Sequence, residues 1–321
     1  MKKIAVLADY LEPSHHALID STAARCGFAV GYYPDCRVPA ELAGTYEVVH
    51  GMPKPGDLKA FTGMKWFCGS FAGVDAYLDD ALYPSPEVML SNSSGAYGVT
   101  IAEHLIMVTL MLLRHAPAYL HHADAHRWGP VMPMRSIIGS TITVLGTGDI
   151  GTEFARRAKA MGAKAIRGVR RTKKAADPAF DGVFTHEELD SLLPDTDILV
   201  MALPSTADTV GILSRDRIAL LPETAYVINV GRGTAIDQSA LVEALNAEKL
   251  AGAALDVFEK EPVPADDPVW DAKNLLITPH ISGQMSLGYT RDKNVALFCE
   301  DLENYAAGRP LKRYVDRKIG Y

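Results

Sequence analysis

The sequence predicts an α/β protein of two domains, one a doubly wound parallel sheet and the other a smaller α/β layer. Three observations predict it. The chain has 321 residues, 48% of them hydrophobic, more than a single core usually holds. Short β-rich segments alternate with helical ones in two separate runs, as parallel βαβ units require. A glycine-rich turn, VLGTGDIGTEF at 144–154, opens the second run between a strand pattern and a helix pattern.

In the first run, residues 4–7, 47–49, 65–68 and 88–91 read as strands separated by polar or helical stretches. A long helix is expected from 100 to about 120, with Ile101, Leu105, Ile106, Thr109 and Leu112 at helical spacing. A loop at 128–134, containing Pro130 and Pro133, precedes the second run. There TITVLG (141–146) is a β-branched strand entering the glycine turn, and 150–161 is an Ala-rich helix stopped by Gly162. Further strands are expected at 165–169, 198–202, 226–230, 253–257 and 275–278, which makes six parallel strands in this sheet. The helix at 239–250 takes Asp237 as its N-terminal cap, with Gly252 just beyond its end. The chain has neither low-complexity segments nor repeats at solenoid periods.

Composition narrows the function. Lys and Arg total 32 against 39 acids, a formal charge of −7, which argues against nucleic acid as a partner and for small molecules. The apolar run after Met1-Lys2-Lys3 ends at Asp9 and reads as a first strand rather than a signal peptide. The most apolar helix, 101–113, carries Glu103 and His104 and is too short to span a bilayer, so no membrane partner is expected. Cys26, Cys36, Cys68 and Cys299 lack paired ligand spacing; no metal site is expected, and a reducing, cytoplasmic setting is.

Topology then locates a site, because ligands of open α/β sheets bind beyond the carboxyl ends of the strands. In the turn, Gly146, Gly148 and Gly151 fit a tight turn, close approach of backbone to a pyrophosphate, and a helix packed on a strand. The anion would sit at the helix N-terminus near Asp149, where free N–H groups and the dipole favour it. Arg232 follows the strand at 226–230, Glu259 and Glu261 follow 253–257, and His280 follows 275–278. An arginine, a carboxylate and a histidine on neighbouring strand ends can bind an anionic carbonyl compound and move a proton. The second strand ends in GVRRTKK (168–174), with Val169 where an acid would bond the ribose 2′-hydroxyl of NAD. Arg170, Arg171, Thr172 and Lys173 suit a 2′-phosphate instead, so NADP is the preferred cofactor and NAD a possible one.

INVGRG (228–233), AALDVFEKEP (253–262) and LLITPHISG (275–283), in that order after the glycine turn, resemble the D-2-hydroxyacid dehydrogenase family of glyoxylate and hydroxypyruvate reductase type. CGSFAGVD (68–75) and SNSSGAYGVTIAEH (91–104) resemble that family's substrate loop and interdomain helix start. The resemblance runs from Cys68 to the C-terminus. It implies a flavodoxin-like substrate domain from 1–97 plus 284–321, a Rossmann dinucleotide-binding domain at 98–283, a cleft between them, and a homodimer built through 97–135.

Carried over by residue, the resemblance makes Arg232 the anchor of the substrate's carboxylate and 2-oxo oxygen, a task suited to a planar guanidinium. His280 becomes the general acid in reduction. Glu261, directly before a proline, becomes its carboxylate partner in preference to Glu259. Asp256 would bond the nicotinamide carboxamide, and the amides of Ala72 and Gly73 would hold the substrate carboxylate. The implied cofactor contacts are Thr100; Gly146, Thr147, Gly148, Asp149, Ile150 and Gly151; Arg170, Arg171 and Thr172; Leu203, Pro204 and Thr209; and Val230, Gly231, Asp256 and Gly283.

The implied activity is hydride transfer between NADP(H) and a small 2-oxo or D-2-hydroxy acid, as a reductase. Two alternatives stand beside it. A dinucleotide-binding sensor or corepressor would have no reason to keep Arg232, Glu261 and His280 together. A formate dehydrogenase suits a histidine with an amide partner, which Glu261 argues against. For Ser70 and Tyr97 ordinary loop hydrogen bonding is preferred over substrate contact, and His121, His122 and His126, on a polar helical stretch, are read as histidines that satisfy loop carbonyls.

Overall fold

The computed structural model describes residues 1–173 and 177–321; Lys174, the end of the basic run, lies outside them. In chain order the first elements are β1 (Lys2–Leu7), α1 (Pro13–Arg25), β2 (Phe28–Tyr32), α2 (Ala40–Ala43), β3 (Val48–Gly51), β4 (Trp66–Gly69) and β5 (Met89–Ser91). Next come α3 (Gly98–Leu113), α4 (Ala116–Asp124), β6 (Thr141–Leu145), α5 (Asp149–Ala160), β7 (Ala165–Val169), β8 (Gly182–Phe184), α6 (Leu189–Leu192) and β9 (Ile198–Met201). The chain continues through α7 (Arg215–Leu220), β10 (Tyr226–Asn229), α8 (Gln238–Asn246), β11 (Gly252–Leu255) and β12 (Leu275–Ile277) to α9 (Gly288–Ala306). These form two compact units, Met1–Tyr97 with Gln284–Tyr321, and Gly98–Gly283.

The first unit holds a five-stranded sheet in the order β2-β1-β3-β4-β5, parallel throughout. Both faces are covered, so its central strands read as continuous apolar runs rather than alternating ones. Ile4 and Val6 pack with Val48 and Trp66 against Ile19 of α1 and Phe298 and Leu302 of α9. Ala5 and Leu7, one residue out of phase, face Val49, Phe67, Leu58 and Phe61 on the other side. Each large side chain so buried stabilises the unit by roughly 1.5–3 kcal/mol. The strand β2 was not expected: it is an edge strand, half-buried for most of its length, and Gly31 interrupts its pattern.

The second unit is a doubly wound parallel sheet in the order β12-β11-β10-β9-β6-β7-β8. It has seven strands where six were expected. The additional one, β8, is a three-residue edge strand of intermediate burial, too short to show a period. The order reverses between β6 and β9, the kind of crossover beside which open sheets bind ligands. The helix α5 buries Gly151, Phe154, Ala155 and Ala158, a stripe at helical spacing.

The single helix expected from 100 to 120 is broken instead. α3 ends at Leu113, and α4 starts at Ala116 with a bend of 64°. His115 takes a left-handed φ of 55°, and Pro117, which cannot donate to a continuing helix, falls in the first turn of α4. Helix α8 is shorter than expected at its C-terminal end, although Asp237 does cap it, accepting from the Ala240 amide at 2.9 Å. Among the described residues no single helix is long and apolar enough to cross a membrane, and the four cysteines are unbridged.

Candidate active site

The turn from β6 into α5 is shaped by what its glycines leave out. A Cβ on Gly151 would lie 1.9 Å from the Gly146 carbonyl oxygen, so only glycine lets α5 seat against the strand. Gly146 has φ 101° and would place a Cβ 2.6 Å from the Ala202 carbonyl oxygen. A Cβ on Gly148 would meet nothing within 4 Å, so the backbone here borders open space at the N-terminus of α5. Among the described residues no side chain caps that helix end, and the buried Thr147 hydroxyl finds no hydrogen-bond partner. An orphaned hydroxyl beside uncapped N–H groups fits a pyrophosphate. Asp149 turns its carboxylate to the Gly98 amide at 2.7 Å, tying α5 to the start of α3, where Thr100 is buried.

Around this cradle, the Leu203 side chain is buried beneath Gly146, and the Thr209 hydroxyl donates to the Pro204 carbonyl at 2.7 Å. The basic run follows β7. The Arg170 amide donates to the Phe184 carbonyl of β8 at 3.0 Å, which links that run to the unexpected strand. Arg171 and Thr172 are exposed, and Lys173 pairs with Glu188 at 3.1 Å. His186, which sequence reasoning missed, stands beside them: burial pushes its imidazole down, and Arg217 and Arg171 add to this against Asp208.

Three adjacent strands of one sheet, β10, β11 and β12, present Arg232, Glu261 and His280 after their carboxyl ends. Asn229, also missed, shapes the turn that carries Arg232. Its buried amide accepts from the Gly231 N–H at 2.9 Å and donates to the Arg232 carbonyl at 2.9 Å. The Arg232 guanidinium donates back to the Gly231 carbonyl at 2.7 Å, and the Val230 amide joins the Met201 carbonyl of β9.

His280 Nδ1 lies 2.6 Å from Glu261 Oε2, and Glu261 Oε1 accepts from the Phe258 amide at 2.9 Å. Glu259 faces elsewhere, exchanging two hydrogen bonds with Gln238 of α8. His280 adopts φ 51°, a left-handed conformation that its amide holds by bonding the Asp256 and Thr278 carbonyls.

Asp256 turns its carboxylate into the 278–282 turn, accepting from Thr278 Oγ1 at 2.6 Å and from the amides of Ile281 and Ser282. Burial works against its charge, yet the bonds from Ser282, Thr278 and these amides hold the carboxyl below the ordinary range. The side chain for which the resemblance implies a carboxamide partner therefore also organises the loop of His280, which leads to Gly283. His104 of α3 stands 3.4 Å from Thr278 Oγ1. Ile150 is half-buried in the first turn of α5.

In the first unit, Ala72 and Gly73 lie half-buried in the loop after β4. Ser70 and Tyr97 are buried, and the Tyr97 hydroxyl donates to the Ser70 carbonyl at 2.6 Å.

Passing a hydride between a nicotinamide and a carbonyl carbon requires an anion cradle, an anchor for the substrate and a proton donor. The Gly98–Gly283 unit holds a candidate for each, and fold and site together define the class of dinucleotide-dependent dehydrogenases. The family model of the D-isomer specific 2-hydroxyacid dehydrogenase NAD binding domain matches residues 106–282. Glyoxylate/hydroxypyruvate reductase A of Klebsiella pneumoniae (strain 342) is 31% identical over 257 residues, 78% of this chain and 80% of that protein. D-3-phosphoglycerate dehydrogenase of Archaeoglobus fulgidus is 29% identical over 239 residues, 71% of this chain but only 43% of that longer relative.

Among solved structures, a D-isomer specific 2-hydroxyacid dehydrogenase family protein from Aeromonas salmonicida superposes with a TM-score of 0.84. It is 30% identical and covers 98% of this chain and 99% of its own. An NADPH-dependent glyoxylate/hydroxypyruvate reductase from Sinorhizobium meliloti, in complex with NADP and sulfate, gives 0.83 at 26% identity, covering 100% of both chains. The chain belongs to the D-isomer specific 2-hydroxyacid dehydrogenase family.

Proposed function

We propose that this enzyme is an NADPH-dependent reductase of small 2-oxo acids, with glyoxylate and hydroxypyruvate as the first substrates to test. The observation that carries this reading is the 2.6 Å contact of Glu261 with His280, on strand ends next to the one that carries Arg232. The residues 98–283 bind the cofactor, and 1–97 with 284–321 bind the substrate. NADPH, when bound, supplies the hydride; NAD(H) serves less well. The pyrophosphate rests on the 146–151 turn, and Arg170 and Arg171 take the 2′-phosphate.

Arg232 grips the substrate's carboxylate and 2-oxo oxygen with two donors, which fixes the face that the carbonyl presents. The amides of Ala72 and Gly73 take up the same carboxylate. His280 gives a proton from Nε2 to the carbonyl oxygen as negative charge develops there, and Glu261 at Nδ1 stabilises the imidazolium before the transfer. The glyoxylate/hydroxypyruvate reductase activity and the NADP ligand of the relatives named above support this reading.

The exposed Trp128, Met132, Met134 and Ile138 support a homodimer through the 97–135 segment and its flank, which light scattering would detect. The unbridged cysteines support a cytoplasmic setting.

The test is absorbance at 340 nm with NADPH and NADH against glyoxylate, hydroxypyruvate, pyruvate, phenylpyruvate and branched 2-oxo acids, with formate in the reverse direction. Reduction of one or more 2-oxo acids, faster with NADPH, is the expected result. Formate oxidation alone, or tight dinucleotide binding without turnover, would overturn the proposal.

A further inference from the structure

Four successive carbonyls of the loop after β4 are each bonded by the segment 92–97. The Gly69 carbonyl accepts from Ser93 Oγ at 2.9 Å, Ser70 from the Tyr97 hydroxyl at 2.6 Å, Phe71 from the Ser93 amide at 2.9 Å, and Ala72 from Asn92 Nδ2 at 2.7 Å. The donors are buried, and a second rank holds them. Asn294 of α9 donates to Ser93 Oγ at 2.5 Å, and the Tyr10 hydroxyl bridges Asn294 Oδ1 and Ser70 Oγ at 2.8 and 2.7 Å. Burial pushes the Tyr10 and Tyr97 phenols up, so both remain protonated donors at physiological pH.

A trans peptide is planar, with its C=O and N–H pointing to opposite sides. Bonding the Phe71 carbonyl therefore aims the Ala72 N–H away from the 92–97 segment, and bonding the Ala72 carbonyl does the same for the Gly73 N–H. Among the described residues these two amides donate to no protein acceptor, while their carbonyl sides are fully engaged. A pair of adjacent amides held outward in this way is a preorganised anion site.

We infer that Asn92 is a positioning residue of the substrate site: its side-chain amide, by holding the Ala72 carbonyl, fixes the Gly73 N–H that binds the 2-oxo acid's carboxylate. The inference rests on the reading of Ala72 and Gly73 given under the proposed function. Ser93 sets the neighbouring Ala72 amide through its own backbone and is held in turn by Asn294. Tyr97 acts one peptide earlier, on the Ser70–Phe71 unit, and so has less leverage on the anion.

The test compares Asn92→Ala, Asn92→Asp and Tyr97→Phe by steady-state kinetics with glyoxylate and NADPH, with circular dichroism as a check of folding. Asn92→Asp keeps the volume and the acceptor for the Ser94 amide, 3.2 Å away, loses the donor to Ala72 and adds a negative charge, while Asn92→Ala loses the donor without adding charge. Both Asn92 variants should raise the KM for glyoxylate about tenfold or more and leave the KM for NADPH within about twofold, since a misdirected donor acts on one ligand only. Tyr97→Phe should raise the glyoxylate KM less than either.

Unchanged glyoxylate KM in Asn92→Asp, equal effects in all three variants, or a parallel loss of glyoxylate and NADPH affinity would each overturn the inference. A wild-type enzyme that reduces no 2-oxo acid would remove the functional reading and this inference with it; wild-type turnover with unaffected Asn92 variants removes the inference alone.

Discussion

Glu261 Oε2 lies 2.6 Å from His280 Nδ1 while Glu261 Oε1 is held by the Phe258 amide, so the carboxylate is fixed at both ends. In the proposed mechanism the ring so held gives its proton from Nε2. Replacing Glu261 by Gln removes the carboxylate that pairs with His280 Nδ1, so kcat/KM for reduction should fall about tenfold or more. His280→Ala should lower kcat by roughly 10² to 10⁴, the usual effect of losing a positioned acid, with NADPH affinity close to normal. A Glu261→Gln variant with wild-type kcat/KM would take Glu261 out of this role.

Arg232 stands in a turn that Asn229 braces from both sides. Arg232→Ala should lose most of the activity, and Arg232→Lys much of it, because a point charge cannot reproduce a two-donor fork. Single-turnover rates with saturating NADPH would separate this loss from any change in cofactor binding. Near wild-type rates in the alanine variant would remove the anchor.

At the end of β7, Arg170 and Arg171 are the cations proposed for a 2′-phosphate, and Lys173 beside them pairs with Glu188. The preference for NADPH over NADH should be about tenfold to a hundredfold. Converting both arginines to Ala should raise the KM for NADPH and leave that for NADH nearly unchanged. Added salt should weaken NADPH binding in the wild type more than in the double variant. A lower wild-type KM for NADH would assign these arginines to solvent.

Asp256 is a buried carboxylate whose pKa is held down by the hydrogen bonds it accepts. Its contribution to stability is present above the unfolded carboxylate pKa, about 3.9, and is lost as pH falls through the lower folded value. Asp256→Asn should therefore unfold at lower urea than wild type at pH 7, with the gap narrowing only below about pH 4. Because the same carboxylate orders the 278–282 turn, kcat should fall with it. Equal urea midpoints at pH 7 would contradict this account.

Much of the fold was legible in the sequence because its causes are local. The α/β class and the doubly wound sheet follow from apolar runs separated by helical spacing. The glycine turn follows from its spacing, with Gly151 closed onto the Gly146 carbonyl within six residues, and the strand ends that carry Arg232, Glu261 and His280 follow from strand positions. The edge strands β2 and β8 were not legible: half-buried, and in β8 only three residues long, they carry too little period to separate from loop. The break at His115 was masked by apolar spacing that runs across it, and a single left-handed residue decided it.

Some supports of the site are local, as Asn229 is to Arg232, while others depended on tertiary structure. Asn92 meets the Ala72 carbonyl 20 residues away, and Asp256 meets the Ser282 amide 26 residues on. Asn294 reaches Ser93 across 201 residues. A short amide or carboxylate looks the same in any loop; which backbone group it satisfies is settled only when distant segments are brought within about 3 Å, where an unpartnered buried polar group would be costly. The sequence by itself therefore determined which side chains stand at the strand ends, while the tertiary structure decided how they are held and which way the neighbouring amides face.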